Sequence, residues 1–386
     1  MSEAHRQVAV VGGSAAGFFT AYLLARDGRK VQVLEQAEQL DPVPRTLIVT
    51  SRMRDLLGPV GERSVVNEIR SFELFTDGRA ATVPLERSDL IIERASLIRG
   101  LAEQAQQAGA ELRLGRRFVG LETNGGELCL TVERSRDGGR EPVRADTVVG
   151  ADGAASKVAQ AAGWPRQQTV PLIQAIVRLP AGIPSDTVRV WFVPEDTPYF
   201  YWLIPESPTR GALGLIGEDG QETRRCLERF LEKRRFTPVS FQGARIPVYT
   251  GWVPVERQVG LGRVYLVGDA ACQVKVTTVG GIVTGFRGAL GVTEAILNGG
   301  RSRELRALRH ELDLHLLIRK TLHGFKQADY SRLVDLLDTS TRRSLSVYTR
   351  DEAARVLWHL CLSQPRLLLL GFRGLLASSF FRRERD

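Results

Sequence analysis

Residues 8–35 read Val-Ala-Val-Val-Gly-Gly-Ser-Ala-Ala-Gly-Phe-Phe-Thr-Ala-Tyr-Leu-Leu-Ala-Arg-Asp-Gly-Arg-Lys-Val-Gln-Val-Leu-Glu. A short apolar run, a glycine-rich turn and an apolar-periodic stretch predict strand, tight turn and helix. Gly28 ends that helix, and Val31 to Leu34 form the next buried strand with Glu35 at its tip. In such a βαβ unit the glycines let the backbone approach a pyrophosphate, and the helix start offers free N–H groups and the positive end of its dipole. Gly12, Gly13, Ser14, Ala15, Ala16 and Gly17 are therefore the candidate phosphate loop. Glu35 lies 23 positions after Gly12, near the spacing of about 20 at which a carboxylate accepts ribose hydroxyls. Ser14 occupies the middle position, where the dinucleotide fingerprint has glycine; serine is small enough to be tolerated there.

Working outward, two more stretches read as strands entering glycine-rich turns. Ala145 to Val149 leads into Gly150-Ala151-Asp152-Gly153, and Arg263 to Val267 leads into Gly268-Asp269-Ala270-Ala271. A carboxylate at a strand end, as at Asp269, suits a polyol hydroxyl such as a ribityl chain presents. The loop continues through Gly280, Gly281 and Ile282 into a predicted helix, whose first amides suit the electron-rich edge of a reduced flavin.

The run Gly268-Asp269-Ala270-Ala271-Cys272-Gln273-Val274-Lys275-Val276-Thr277-Thr278-Val279-Gly280-Gly281-Ile282 is similar to the GDAAGQVKPTTGGGI pattern of the geranylgeranyl reductase family, a branch of the flavoproteins that include the aromatic hydroxylases. Val276 stands where the reductases have proline, and Cys272 and Val276 stand where the hydroxylases usually carry His and Pro. The resemblance covers most of the first 300 residues. It implies an α/β fold: an FAD-binding Rossmann-like domain (1–165 and 253–300), an inserted antiparallel β-sheet substrate domain (166–252) and a C-terminal helical region (301–386). It implies FAD contacts at Ala16, Glu35, Arg94, Val119, Asp269, Gly281 and Ile282. Arg45, Thr46, Asp152, Gly268 and Gly280 join the candidate cofactor site. Thr46 stands where the reductases generally place a cysteine after the second strand.

Between 166 and 252, apolar runs at 173–179, 188–193, 200–204 and 212–216, a helical interruption at 222–232 and a return to extended chain at 244–249 predict a sheet beside a flavin pocket. Phe200-Tyr201-Trp202-Leu203-Ile204-Pro205 resembles the reductases' YxWxFP box, with Gly214 after it but Gly214-Leu215-Ile216 in place of their GxG. It also resembles the WxWxIP element of flavin-dependent halogenases. Halogenases need a pocket lysine after the first glycine motif, and none occurs between Lys30 and Lys157. Tyr201 and Trp202 are the candidate catalytic pocket residues, and an alternating aromatic strand is equally a simple core element.

The resemblance implies hydride transfer from reduced FAD to a C=C bond of an isoprenoid or other hydrophobic substrate, with NAD(P)H or a redox donor protein as the electron source. The alternatives are an FAD-dependent monooxygenase that hydroxylates or epoxidises a hydrophobic metabolite, and a flavin binder without turnover.

Composition bounds the rest. The 386 residues are 43% hydrophobic and 25% charged, ordinary globular usage that speaks against disorder and against a polytopic membrane protein. Cys129, Cys226, Cys272 and Cys361 form no CxxC pair, and the first residues lack the layout of a signal peptide, so a reducing cytoplasm is expected. His5, His310, His315, His323 and His359 show no ligand spacing, so no metal is expected. Of the net charge of +9, residues 301–386 carry +7, from 17 Lys+Arg against 10 Asp+Glu. These arginines alternate with apolar residues rather than with stacking aromatics, so nucleic acid is not the expected partner. An anionic membrane surface, met peripherally, fits them, as does a solvated helix face. The apolar stretch 367–381 is shorter than the roughly 20 residues that span a bilayer.

Overall fold

The computed structural model describes residues 7–382. Its first half runs β1 (Gln7–Val11), α1 (Ala15–Arg26), β2 (Lys30–Leu34), β3 (Thr46–Val49), α2 (Arg52–Leu57), α3 (Pro59–Glu62), β4 (Val65–Thr76), β5 (Arg79–Glu93), α4 (Arg94–Gln107), β6 (Glu111–Arg113), β7 (Arg116–Asn124), β8 (Glu127–Arg134), β9 (Arg140–Ala145), β10 (Thr147–Gly150) and α5 (Lys157–Ala161). There follow β11 (Thr169–Arg178), β12 (Thr187–Trp191), β13 (Tyr201–Ser207), β14 (Arg210–Ile216), α6 (Gly220–Arg234), β15 (Pro238–Pro247), β16 (Glu256–Val259), β17 (Gly262–Leu266) and α7 (Ile282–Leu297). Five helices come last: α8 (Arg303–His323), α9 (Gln327–Asp335), α10 (Thr339–Val347), α11 (Ala353–Ser363) and α12 (Pro365–Arg382).

Val8 to Val11 are all buried because β1 lies inside a sheet covered on both faces. The strand order is β16-β17-β10-β1-β2-β6, parallel throughout except for the β16–β17 edge pair. Helices α1, α4 and α7 pack together beside it. The small β7-β8-β9 sheet buries Leu128, Leu130 and Val132 in the same core.

The second sheet has eight strands in the order β15-β11-β14-β13-β12-β4-β5-β3, antiparallel except where β12 meets β4. Three of its strands come from residues 46–93, so this sheet begins far earlier in the chain than residue 166. Its two faces bury different things. Tyr201 and Leu203 of β13 face α6, with Cys226, Leu227 and Phe230, while Trp202 and Ile204 point the other way, the period-two consequence of the pleat.

The C-terminal region is helical, as the sequence predicts, and it docks on both sheet systems. Leu308 and Leu312 of α8 pack on Tyr249, Cys272 and Val276, and Val334 and Leu337, around the end of α9, cover Ala81 and Val83 of β5. Among the described residues no helix is long and apolar enough to cross a membrane. His5 and the last four residues lie outside those described.

Candidate functional site

The phosphate loop is fixed by what its glycines exclude. Gly12 has φ +107°, and a Cβ there would stand 2.6 Å from the carbonyl oxygen of Ala151. At Gly17 a Cβ would stand 2.3 Å from the carbonyl oxygen of Gly12. The first contact brings Gly150–Gly153 against the β1–α1 turn, locked by the Ala151 amide donating to the Val11 carbonyl at 2.8 Å. Ser14 is more than tolerated: its Oγ accepts from the Gly17 amide at 3.1 Å and caps α1. Glu35 accepts from the Gly13 amide at 2.6 Å and the Ala37 amide at 2.9 Å. The carboxylate thus sits directly beside the loop.

The third stretch arrives at the same place. A Cβ on Gly268 would lie 3.0 Å from the Ala16 Cβ, and one on Gly281 would lie 3.2 Å from Asp269 Oδ1. Gly12, Asp269 and Gly281 therefore converge. Helix α7 starts at Ile282 after Gly281, which provides no side-chain cap, and the Gly285 amide donates to the Gly281 carbonyl. The amides of the first turn are left without a partner within the helix, beside a cavity that Gly280, Gly281, Ile282 and Val283 line.

That cavity, of about 290 Å³, runs from Ser14, Ala15 and Ala16 past Arg45, Arg94 and Asp269 to an apolar wall of Val188, Val190, Phe200, Trp202, Ile204 and Ile216. Burial pushes the Asp269 carboxyl up, opposed by the charges of Arg45 and Arg94. Burial and then the neighbouring Arg94 push the Arg45 guanidinium down, while Asp269 acts the other way. Burial likewise lowers Arg94, against Asp269 and Glu93. Arg45 Nε and Trp202 Nε1 are buried without a hydrogen-bond partner. Such orphan donors cost roughly 1–3 kcal/mol each unless something bonds them, so the cavity is prepared for a polar ligand.

Thr46 lines the cavity. Two expectations need correction. Tyr201 turns away: its ring stacks on Phe230 with centroids 4.0 Å apart, and its hydroxyl donates to Asp196 at 2.8 Å. Only Trp202 of the pair meets the cavity. Asp152 supplies backbone next to Gly12, but its carboxylate is occupied by Ser156 Oγ at 2.5 Å and the Lys157 and Val158 amides at 2.7 and 3.1 Å, at the start of α5. Val119, expected as a backbone contact at the adenine end, is exposed at a bulge of β7 outside the cavity lining; its strand starts at Arg116, whose amide bonds the Glu35 carbonyl at 2.8 Å.

Other lining residues gave no signal of their own. Lys275 forms a buried ion pair with Asp351, which also accepts from Thr50 Oγ1. Arg350 pairs with buried Asp89 at 2.6 Å. Gln174 Nε2 bonds Gln242 at 2.7 Å and faces the same space. Lys275 lies inside the quoted glycine motif without a mark of its own; Arg350 is reachable only through the fold.

A dinucleotide with a flavin ring fits these features. Ser14 to Gly17 would hold a pyrophosphate, Glu35 a ribose and Asp269 a polyol, and the bare amides of α7 and the Arg45 Nε offer donors further along. The FAD binding domain family model matches residues 5–305. The chain is 27% identical to digeranylgeranylglycerophospholipid reductase 2 of Methanothermobacter thermautotrophicus, over 88% of this chain and 93% of that one. Among solved structures it resembles a geranylgeranyl bacteriochlorophyll reductase-like protein from Thermoplasma acidophilum, with TM-score 0.77, 19% identity and coverage of 93% and 96% of the two chains. It also resembles the flavin-dependent monooxygenase PieE, with TM-score 0.63, 18% identity and coverage of 98% and 73%. With its three glycine-bearing turns gathered on one cavity, this chain belongs to the FAD binding domain family.

Proposed function

We propose that the protein is an FAD-dependent oxidoreductase that saturates C=C bonds of an isoprenoid or similarly hydrophobic substrate. The observation that carries this reading is a single cavity joining the dinucleotide loops to an apolar wall. The name of the archaeal relative, a reductase of a geranylgeranylated lipid, supports the same chemistry. Reduced FAD, when bound, supplies the hydride equivalent. The α7 amides at Gly281–Val283 and the Arg45 guanidinium stabilise negative charge in the cavity. Val188, Val190, Trp202, Ile204 and Ile216 hold the alkene and keep water from it.

Saturation also needs a proton on the neighbouring carbon. Thr46 Oγ1 donates to Glu206, and Glu206 pairs with the exposed Arg210 at 2.7 Å, so hydroxyl and carboxylate form a chain from the surface to the cavity wall. In this reading Glu206 first takes up a proton from solvent at the surface and passes it to Thr46 Oγ1 as the Thr46 hydroxyl proton moves to the carbon. NAD(P)H or a redox donor protein restores the reducing equivalents. The basic C-terminal segment, with Arg366 and Arg373 exposed, gathers the substrate at an anionic membrane surface.

The test is anaerobic incubation of the flavin-loaded protein with NADPH and a polyprenyl alcohol. Loss of the alkene signal with matching NADPH oxidation is expected. Oxygen uptake with a hydroxylated or epoxidised product, and no anaerobic turnover, would establish the monooxygenase reading instead.

A further inference from the structure

One residue of the cavity wall holds a backbone conformation that its own side chain opposes. Val279 has φ +53°, in the left-handed region, where a β-branched residue is an outlier because its Cβ crowds the main chain. Glycine adopts that region freely, and the pattern GDAAGQVKPTTGGGI has glycine at this place. Here valine makes the turn, although Gly281, two residues on, has φ −108° and leaves its own freedom unused.

The surroundings hold the turn from both ends. The Lys275 amide donates to the Gly280 carbonyl at 3.2 Å and closes the loop 276–279. The Lys275 ammonium is paired with Asp351, and Thr277 Oγ1 lies 2.7 Å from His315 Nδ1. Thr284 Oγ1 donates to the Gln273 carbonyl just ahead of the loop. Strain of this kind persists only where neighbouring contacts over-determine it.

The strained turn places an isopropyl group. Val279 is half-buried, lines the cavity and packs against the cluster that holds Val188, Val190, Trp202, Ile204 and Ile216. Those side chains are the wall given by the sheet, whereas Val279 reaches them from the flavin loop, beside Gly280 and Gly281. A glycine in its place would leave that space open. A β-branched side chain has little χ1 freedom, so Val279 does not swing aside cheaply.

We propose that Val279 is a specificity-determining residue: its isopropyl group fixes the clearance between the flavin loop and the sheet, and with it the thickness of the group that can lie in the cavity. The assignment rests on the cavity being the substrate site, as the oxidoreductase reading has it. A ring-bearing body is turned away where an acyclic chain of the same size is admitted.

The experiment titrates the FAD-loaded protein with geraniol and perillyl alcohol, an acyclic and a ring-bearing alcohol of equal carbon number, and follows the perturbation of flavin absorbance. The unmodified protein should favour geraniol at least about tenfold, the discrimination that a methylene without room gives in an apolar pocket. Val279→Gly should narrow the preference to below about threefold by tightening perillyl alcohol, and Val279→Ala, which keeps the Cβ, should fall between. Thermal unfolding reads the strain: Val279→Gly should melt above Val279→Ala, because only glycine is at ease at φ +53°. Flavin content reports whether each variant folds, and the alanine variant carries the selectivity test where the glycine variant loads poorly. Absence of binding or of preference in the unmodified protein, an unchanged preference in the variants, or a higher melting temperature for Val279→Ala overturns the assignment. Anaerobic turnover is scored separately: a preference that shifts with residue 279, without alkene reduction, supports the assignment and refutes the reductase reading.

Discussion

Lowering the pH from 7 to 5 should destabilise this protein through His315. The imidazole is buried, its Nδ1 is 2.7 Å from Thr277 Oγ1, and its Nε2 has no hydrogen-bond partner. Burial, then Lys275 and Arg350, push its pKa down from 6.5 to about 3, with Asp351 opposing them; the Glu311 carboxylate stands 4.0 Å away, bound to Arg287. As pH falls below 6.5 the unfolded chain takes up a proton that the folded chain refuses, so stability is present above 6.5 and is lost on acidification until about pH 3. At about 1.36 kcal/mol per pH unit, the loss reaches about 2 kcal/mol at pH 5. Asp351, held at about 2 because Lys275 more than offsets its burial, begins to cost stability only below its ordinary 3.8, outside this window. Urea unfolding of the wild type and of His315→Gln at pH 7, 6 and 5 isolates the effect, since glutamine keeps a partner for Thr277 and does not titrate. The wild type should lose about 2 kcal/mol more than the variant between pH 7 and 5. Parallel losses in the two proteins would refute a neutral, buried His315.

Gly12→Ala should abolish most flavin binding and cost at least about 2 kcal/mol, because positive φ and a contact 2.6 Å from the Ala151 oxygen act together; the ratio of flavin to protein absorbance and the melting temperature report it. Asp351→Asn leaves Lys275 buried without its counter-ion and should cost about 3–5 kcal/mol in urea unfolding, with most of the loss recovered when Lys275→Met is added. Glu206→Gln should slow alkene saturation at least about tenfold with flavin content unchanged, because the group that passes a proton to Thr46 is gone; anaerobic single-turnover rates measure it.

The parallel sheet and its loops were legible because their constraints are local. A turn that admits only glycine at Gly12, a helix three residues on and an acid at the next strand tip all lie within 28 residues, and each has its own sequence mark. The second sheet was legible only in part. Residues 65–93 supply two long strands; most side chains of β4 are half-buried, so it lacks the sharp apolar alternation that marks a strand with one buried face. At β13 the difficulty is the reverse. Tyr201 to Pro205 are all buried because both faces are covered, so the sequence carries no sign of which face meets the cavity; only packing against Phe230 of α6 assigns Tyr201 away from it. Asp152 lies in the Gly150-Ala151-Asp152-Gly153 turn that the sequence marks for the cofactor, yet its carboxylate accepts from Ser156 Oγ and the Lys157 and Val158 amides at the start of α5.

Charge in the C-terminal region is the least readable feature, since the same residue type serves opposite ends. Counted along the chain, its arginines suggest a basic surface. In the fold, Arg319 is buried, lies 3.9 Å from the Tyr199 ring centre and donates to the Pro198 carbonyl, while Arg350 crosses to Asp89. Arg287, from outside the region, pairs with Glu304 and Glu311 within it, and Lys275 does the same with Asp351. These pairs tie α8 and the segment before α11 to the flavin loop, 76 residues apart in the case of Lys275 and Asp351. Buried pairs of this kind give little net stability, but each is costly to break singly, so they fix where the helices sit more than how firmly. Any attraction to an anionic membrane must then come from exposed arginines such as Arg366 and Arg373, and neutralising those two should weaken vesicle binding without moving the flavin spectrum, whereas Arg350→Ala should disturb the spectrum first.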